Sequence, residues 1–366
     1  MKLKTNRDEI LVPLQTVHSV VERRQSLPIL GNVLLSAEAG TLTLTATDME
    51  VETVVAIPIE GDESGQMTLP ARKFVDIVRA LPAGSVIQIE SKEKQATLRS
   101  GRSRFSLATM PAVEFPSVGE FEASLKIKAE GRAILAMIQQ TQFAMAHNDV
   151  RYYLNGLLLE FSPNRIRSVA TDGHRLALAE LEVAIETTGT RQIIVPRKGV
   201  LELLRILETA DGEAEINVSD NHVQALVGGN RVTSKLIDGK YPDYERVIPR
   251  NADKLVIADR EALRQGLART AILSNEKFRG VRFLLSAGSL TAQAHNPDQE
   301  EAEEVIEVTY DGGELEIGFN ANYVLDVLNT LRTEQVRLEF SDSNSSCLIT
   351  PADGGHCRYV VMPMRL

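Results

Sequence analysis

The 366-residue chain has no tryptophan, two cysteines and only 5% aromatic residues. Two cysteines, Cys347 and Cys357, cannot build a disulfide framework, which excludes the small secreted scaffolds and fits a reducing compartment. No apolar run is long enough to span a membrane, and "MKLKTNRDEI" lacks the apolar stretch of a secretory leader. A cytoplasmic protein with no membrane partner is expected. Enzyme signatures are missing too. No G-x-x-x-x-G-K-[ST] occurs, and "GNRVTSK" lacks the glycine before Lys235. Neither H-E-x-x-H nor C-x-x-C is found, and the six histidines (18, 147, 174, 222, 295 and 356) lie far apart, so no metal and no cofactor are expected.

The chain also lacks an excess of basic charge, with 40 Lys and Arg against 50 Asp and Glu and a formal net charge of −10. Taken as an average, that argues against a nucleic-acid partner. The average hides a distribution. Helix-like patterning covers 7–24, 71–81, 130–147, 197–208, 259–275 and 320–332, and these segments carry +4 while the rest of the chain carries −14. A face built of the helices would be positive on an acidic protein.

What the chain does have is repetition, with an ordinary 43% of apolar residues to build cores. "LPARKFVDIVRAL", "VPRKGVLELLRIL" and "FNANYVLDVLNTL" place Pro70, Pro196 and Asn320 each eleven residues before a leucine, at offsets of 126 and 124. "GNVLLS", "GLLLEF" and "GVRFLLS" keep offsets of 125 and 124, and the Asp48 of "TATD" precedes the Asp172 of "VATD" by 124. "EFPSV" is echoed by "KYPDY". Three versions of one domain are expected, near 1–120, 121–246 and 247–366.

Each version opens with a helix pattern. Asn6 and Glu9 form a plausible cap before Ile10, Leu14, Val17 and Val21, with a kink expected at Pro13. Ile134, Met137, Ile138, Thr141 and Met145 share one face in the second copy. A second helix follows mid-unit, and the remainder alternates between strand and turn, as in "EAGTLTLTAT" and "CLITPADGGHCRYVV". The class is α+β, antiparallel hairpins with two helices per domain. Cys347 and Cys357 sit symmetrically about Ala352, which would place them opposite each other in a hairpin as buried thiols.

The densest polar stretch is "ATDGHRLA", with Asp172, His174 and Arg175. A hydrolase centred on Asp172 and His174 is one reading; a solvated Asp-Gly turn is the other, and Asp48 at the equivalent place favours a fold position. A monomeric scaffold would leave the repeat unexplained. The apolar ending "RYVVMPMRL" is unusual for a terminus, where few contacts reward apolar side chains.

"SLPILGN", "GRSRFSLATMPA", "HNDVRYYLNG", "VATDGHRLA", "AILSNEKFRGVR", "NPDQEEAEE", "NYVLDVLN" and "YVVMPMRL" together make the whole chain closely resemble the bacterial DNA polymerase III beta subunit family of sliding clamps. The resemblance implies the DNA clamp fold, with two chains closed head to tail into a six-domain ring whose twelve helices line the hole. It implies a non-enzymatic platform on double-stranded DNA, held by topology with few sequence-independent phosphate contacts. An ATP-driven clamp loader, the polymerase III alpha subunit, other polymerases, ligase and mismatch-repair proteins would be partners, in the cytoplasm at the nucleoid. They would insert short peptides, often glutamine followed by leucine and phenylalanine, into an apolar cleft where adaptable methionines suit several ligands.

Matched to the family, the cleft comprises Tyr152, Leu154, Thr171, Gly173, His174, Arg175, Leu176, Pro242, Arg246, Val247, Asn320, Tyr323, Ser346, Val360, Val361, Met362, Pro363, Met364, Arg365 and Leu366. Asn344 departs from the pattern where an apolar lining residue is expected. DNA contacts fall on Arg24, Arg72, Asn148, Tyr153 and Lys198. The subunit seam takes Phe105, Leu107, Ile272 and Leu273, with Lys73, Arg102 and Arg104 opposing Glu300, Glu301, Glu303 and Glu304.

Overall fold

The computed structural model describes residues 1–22, 27–60, 63–92, 94–119, 122–250 and 252–365. The chain forms two compact units, one of Met1–Leu135 with Val195–Leu236, the other of Ala136–Ile194 with Ile237–Leu366. Among the described residues, no helix is long and apolar enough to cross a membrane. The described residues form six α-helices: α1 (Arg7–His18), α2 (Ala71–Ala80), α3 (Gly131–Gln139), α4 (Arg197–Glu208), α5 (Arg260–Thr270) and α6 (Ala321–Thr330).

The repeat is visible in strand order. Gly65–Pro70, Asn32–Glu38, Thr41–Thr47 and Val51–Pro58 are neighbours in that order. The order recurs in Arg191–Pro196, Gly156–Ser162, Arg165–Thr171 and Arg175–Glu182, and again in Leu315–Asn320, Gly280–Ser286, Ser289–His295 and Glu301–Thr309. A second four-strand pattern, each time running from the strand before a copy's first helix, also occurs three times. It ends on Ser103–Ala108, Asn230–Lys235 and Cys357–Val361. In the first unit Val51–Pro58 pairs antiparallel with Asn230–Lys235; in the second, Arg175–Glu182 pairs likewise with Cys357–Val361.

The alternating strands and the helix stripes close dry cores, as their periodicities require. In the first unit Ile10, Leu14 and Val17 of α1 and Phe74, Val75 and Val78 of α2 pack with strand residues such as Leu35, Leu42 and Ile89. Asn6 caps α1 by accepting a hydrogen bond from the Asp8 amide at 2.9 Å. The helix continues through Pro13 to His18, so the proline removes one amide donor without ending it.

Three helices end well short of the sequence pattern, and α2 and α6 end within two residues of it. α1 stops at His18 rather than 24. α3 stops at Gln139, where the Thr141 hydroxyl turns back onto the Met137 and Ile138 carbonyls at 3.3 and 3.2 Å and takes acceptors that a further turn would use. α5 tightens into a 3-10 turn at Ala271–Leu273. The expected face-to-face cysteines are also corrected. Cys347 lies opposite Val361 and Leu348 opposite Val360, so the hairpin centres near Gly354, at φ +84, rather than Ala352. Both thiols are free and buried.

Candidate functional site

Two turns carry the polar clusters, and both are built by the same Thr-Asp pair. At Thr47–Val51 the threonine hydroxyl donates to the Val51 carbonyl at 2.9 Å and accepts from the Met49 amide at 3.0 Å. Asp48 Oδ1 accepts from the amides of Glu50 and Val51 at 2.9 and 2.7 Å. At Thr171–Arg175 the hydroxyl donates to the Arg175 carbonyl at 2.6 Å and accepts from the Gly173 amide at 3.1 Å. Asp172 Oδ1 accepts from the amides of His174 and Arg175 at 2.9 and 3.1 Å. The short side chains compete with backbone partners and fix the turn.

The second oxygen of each aspartate meets a cation. Asp48 Oδ2 bonds the Lys198 ammonium, which also donates to Glu22 at 2.7 Å and to the Val20 carbonyl at 3.0 Å. Burial alone would lower Lys198, but the hydrogen bonds to Asp48 and Glu22 outweigh it and hold the ammonium above its usual range. Next to it on α4, the buried Glu202 accepts from the Ser19 hydroxyl at 2.5 Å, and burial pushes its carboxyl up. Lys198, expected as a phosphate contact, is thus already neutralised by two carboxylates.

Asp172 Oδ2 accepts from Arg175 Nε at 3.0 Å. The same guanidinium pairs with Asp326, donates to the Phe143 carbonyl at 3.0 Å, and lies over the rings of Phe143 and Tyr323 at 5.3 and 4.6 Å. The His174 ring stacks on Tyr323 at 6.4 Å, with 18° between planes. Gly173, at φ +90, lets the Arg151 guanidinium come within 2.9 Å of where a Cβ would stand. Arg151 in turn donates to the Asp172 carbonyl at 3.1 Å and to both oxygens of Asp149, whose carboxyl is lowered to about 2, chiefly by that side-chain bond.

The unusual C-terminus joins this surface. Val360 and Val361 are buried strand residues, opposite Leu176 and Arg175. The chain is then latched twice, the Met362 amide onto the His174 carbonyl and the Met364 amide onto the Gly318 carbonyl, each at 2.9 Å. Met362 stays 37% exposed, Pro363 and Met364 are half-buried, Arg365 is exposed, and Leu366 lies outside the described residues.

The expected cleft residues therefore fall into two classes. Leu154, Leu176 and Val360 belong to a buried cluster with Leu178, Tyr241, Tyr244 and Leu348. Tyr152, His174, Pro242, Arg246 and Val247 are exposed, and Arg246 pairs with Asp243 at 2.7 Å. Asn320 caps α6, accepting from the Asn322 amide at 2.9 Å. Ser346 is half-buried and Asn344 exposed. Sequence matching omitted Phe143, Asp149, Arg151 and Asp326, which brace the turn; "HNDVRYYLNG" contained two of them.

Of the other expected positions, Arg72 is exposed on α2, Asn148 is exposed at φ +57, and Tyr153 packs against the second unit's cluster. Arg24 lies outside the described residues. Lys73, Arg102 and Arg104 are exposed, Phe105 is partly buried against the first unit's core, and Leu107 is buried. Ile272 is 72% exposed and Leu273 is half-buried. Glu300, Glu301 and Glu303 are exposed; Glu304 is taken by Arg269 in the same unit.

The hydrolase reading fails on geometry. Both Asp172 oxygens are committed to the turn and Arg175, and the His174 ring faces Tyr323 instead of a nucleophile. Among the described residues, no group of three His, Cys, Asp or Glu could hold a metal ion.

Comparison with known proteins covers the whole chain. The N-terminal, central and C-terminal domain models of the DNA polymerase III beta subunit match residues 1–119, 129–243 and 245–365. Beta sliding clamps of Pseudomonas putida and Escherichia coli K12 are 53% and 48% identical over 100% of each chain. A sliding clamp from Pseudomonas aeruginosa bound to griselimycin superposes with a TM-score of 0.97 at 53% identity, covering 100% of both chains. The Caulobacter crescentus beta sliding clamp superposes at 0.95 with 38% identity, covering 100% of this chain and 99% of that one; it holds PEG at a region assigned to beta-motif tethering.

Proposed function

The chain belongs to the DNA polymerase III beta subunit family, and from that premise we propose how its surfaces serve a sliding clamp. Its work is that of a processivity factor and not of an enzyme. We read it as three clamp domains, near 1–120, 121–246 and 247–366, in a ring of two chains.

One observation carries the ring: two strand edges are left over from a pairing used twice within the chain. Val54 lies opposite Arg231 in the first unit and Leu178 opposite Arg358 in the second. Strand-by-strand alignment of the copies makes these pairs equivalent and carries them onto Glu303 and Arg104. Ser103–Ala108 ends its sheet, and Glu301–Thr309 meets Lys254–Asp259 only at Val308 and Thr309, so both edges are open there. Open edges are templates for another strand. Two copies joined head to tail would place Arg104 against the partner's acidic run. Lys73 and Arg102 would add charge, and Phe105, Leu107, Ile272 and Leu273 apolar contact. Glu304 would contribute less, being held by Arg269.

The surface facing the hole would present Arg72 of α2, Asn148 and Tyr153 to the DNA backbone without reading sequence, with Arg24 added from the family pattern alone. The surface of His174, Tyr323, Met362 and Val247 would receive the apolar peptides of the loader, the polymerase III alpha subunit, other polymerases, ligase and mismatch-repair proteins. The griselimycin complex of the 53%-identical relative supports a ligand site on this fold. The setting would be cytoplasmic, at the nucleoid.

The seam is tested by paired cysteines. Directly opposite residues of antiparallel strands are close enough for a disulfide. Arg104→Cys with Glu303→Cys should oxidise to a covalent dimer, while Arg104→Cys with Glu301→Cys should not; the native thiols are buried. A monomeric solution mass, or equal cross-linking of both pairs, would remove the proposed register.

A further inference from the structure

Next to the cleft residues, one row further along the same sheet, lies a pocket of about 290 Å³. Leu176 faces Val360 across the strands, and two residues on Leu178 faces Arg358, a step of roughly 7 Å. Leu178 and Leu348 form an apolar floor continuous with the buried cluster beneath the cleft, and Ile248 closes one side. Three guanidinium groups line the walls, and they are not equivalent. Arg167 is buried and spent on Glu180, Glu245 and the Tyr244 hydroxyl, at 2.7, 2.9 and 2.7 Å. Arg250 and Arg358 are exposed and meet no carboxylate among the described residues.

We propose that this pocket is an extension of the peptide cleft that takes an acidic residue flanking a partner's apolar anchor. The proposal rests on the cleft reading above and adds to it a class of flanking residue. A carboxylate fits better than an apolar group because burying Arg250 and Arg358 under an apolar side chain would strip their hydration with nothing in return. It fits better than another cation because Glu245, the one acid among the described residues that line the pocket, is already engaged by Arg167. The apolar floor accommodates the methylenes of Glu, and two guanidinium forks suit a planar acceptor.

Fluorescence anisotropy with labelled peptides that carry a glutamine followed by leucine and phenylalanine as the anchor tests it, with Glu or Gln placed one, two or three residues beyond either end. At one of these positions Glu should tighten binding about tenfold over Gln at low salt, and added salt should erode the gain. Arg250→Gln with Arg358→Gln should reduce that gain to less than twofold while leaving the unextended anchor peptide and the melting temperature unchanged. Equal affinity of Glu and Gln everywhere, or a gain that survives the double substitution, would overturn the acidic subsite and leave the cleft standing. Displacement of the Glu peptide, but not the anchor, by a short single-stranded oligonucleotide would assign the pocket to phosphate and likewise overturn it. Failure of the anchor peptide to bind would remove the cleft reading itself, and the extension with it.

Discussion

The turns at Thr47–Val51 and Thr171–Arg175 make the same hydrogen bonds and do different work. In the first, Asp48 reaches across to Lys198 on α4, and Glu22 closes the cluster from the other side. The result is a lock within the first unit, with Asp48 buried at its inner end and Glu22 open to solvent at its outer end. In the second, the cation comes from the turn itself, because Arg175 stands where the first copy has Val51. Asp172 and Asp326 hold its guanidinium over the rings of Phe143 and Tyr323, and His174 and Met362 are exposed beside it. A repeated Thr-Asp pair thus sets the turn, and the three residues after it, Met49, Glu50 and Val51 in one copy and Gly173, His174 and Arg175 in the other, make the difference between the two clusters.

Arg175→Ala should have the largest effect. It removes the cation from two carboxylates and the platform from under Tyr323, so stability should fall by about 3 kcal/mol and anchor-peptide affinity by more than tenfold. Denaturant melts and anisotropy read both. Loss of stability with normal peptide binding would detach the surface from the turn.

Lys198→Met should cost less, about 2 kcal/mol, chiefly by stranding the buried Asp48 carboxylate. Because the ammonium is already paired, the salt dependence of DNA binding should keep its slope, whereas Arg72→Ala should flatten it by about one counterion. A flattened slope for Lys198→Met would restore it as a phosphate contact.

Smaller effects separate the second residues of the two turns. Gly173→Ala meets both a left-handed backbone and the Arg151 guanidinium, so about 1–2 kcal/mol should be lost. Met49 already occupies the same region at φ +78, with its side chain exposed, and Met49→Gly should change stability by less than about 1 kcal/mol. Equal effects in melts would mean that backbone strain, not Arg151, dominates at Gly173.

The smallest contrast is in acid. Glu202, beside the first turn, has its folded carboxyl raised by burial, so ionising it at neutral pH opposes folding, and the penalty vanishes as pH falls through that raised value. Asp149, beside the second, is lowered to about 2 by Arg151, so its contribution is present at neutral pH and is lost as pH falls toward that value. Glu202→Gln should therefore melt above the parent near neutral pH, and Asp149→Asn below it, with both differences shrinking in acid. The same sign for both variants would contradict the assignments.

Much of this was readable in the residues. The 124-residue spacing of Asp48 and Asp172 marked equivalent turns, and the alternating strands and helix stripes marked the cores. Helix ends were not readable, because Thr141 ends α3 through a side-chain bond that periodicity does not register. Symmetry about Ala352 does not place the cysteines opposite each other, because the hairpin turns near Gly354 and sets Cys347 against Val361. The family pattern named the cleft's rim but not its braces, Asp326 and Phe143, which act from distant segments. Nor does spacing reveal that a lysine suited to phosphate is already held by Asp48 and Glu22.

The central claim, that a closed ring holds DNA by linkage, is tested most directly on a nicked circle. The protein is loaded with a compatible clamp loader and ATP, the complex is isolated at high salt, and the circle is then linearised. Retention on the circle followed by loss through the free ends is the predicted result. Salt-sensitive attachment that is indifferent to linearisation would contradict it.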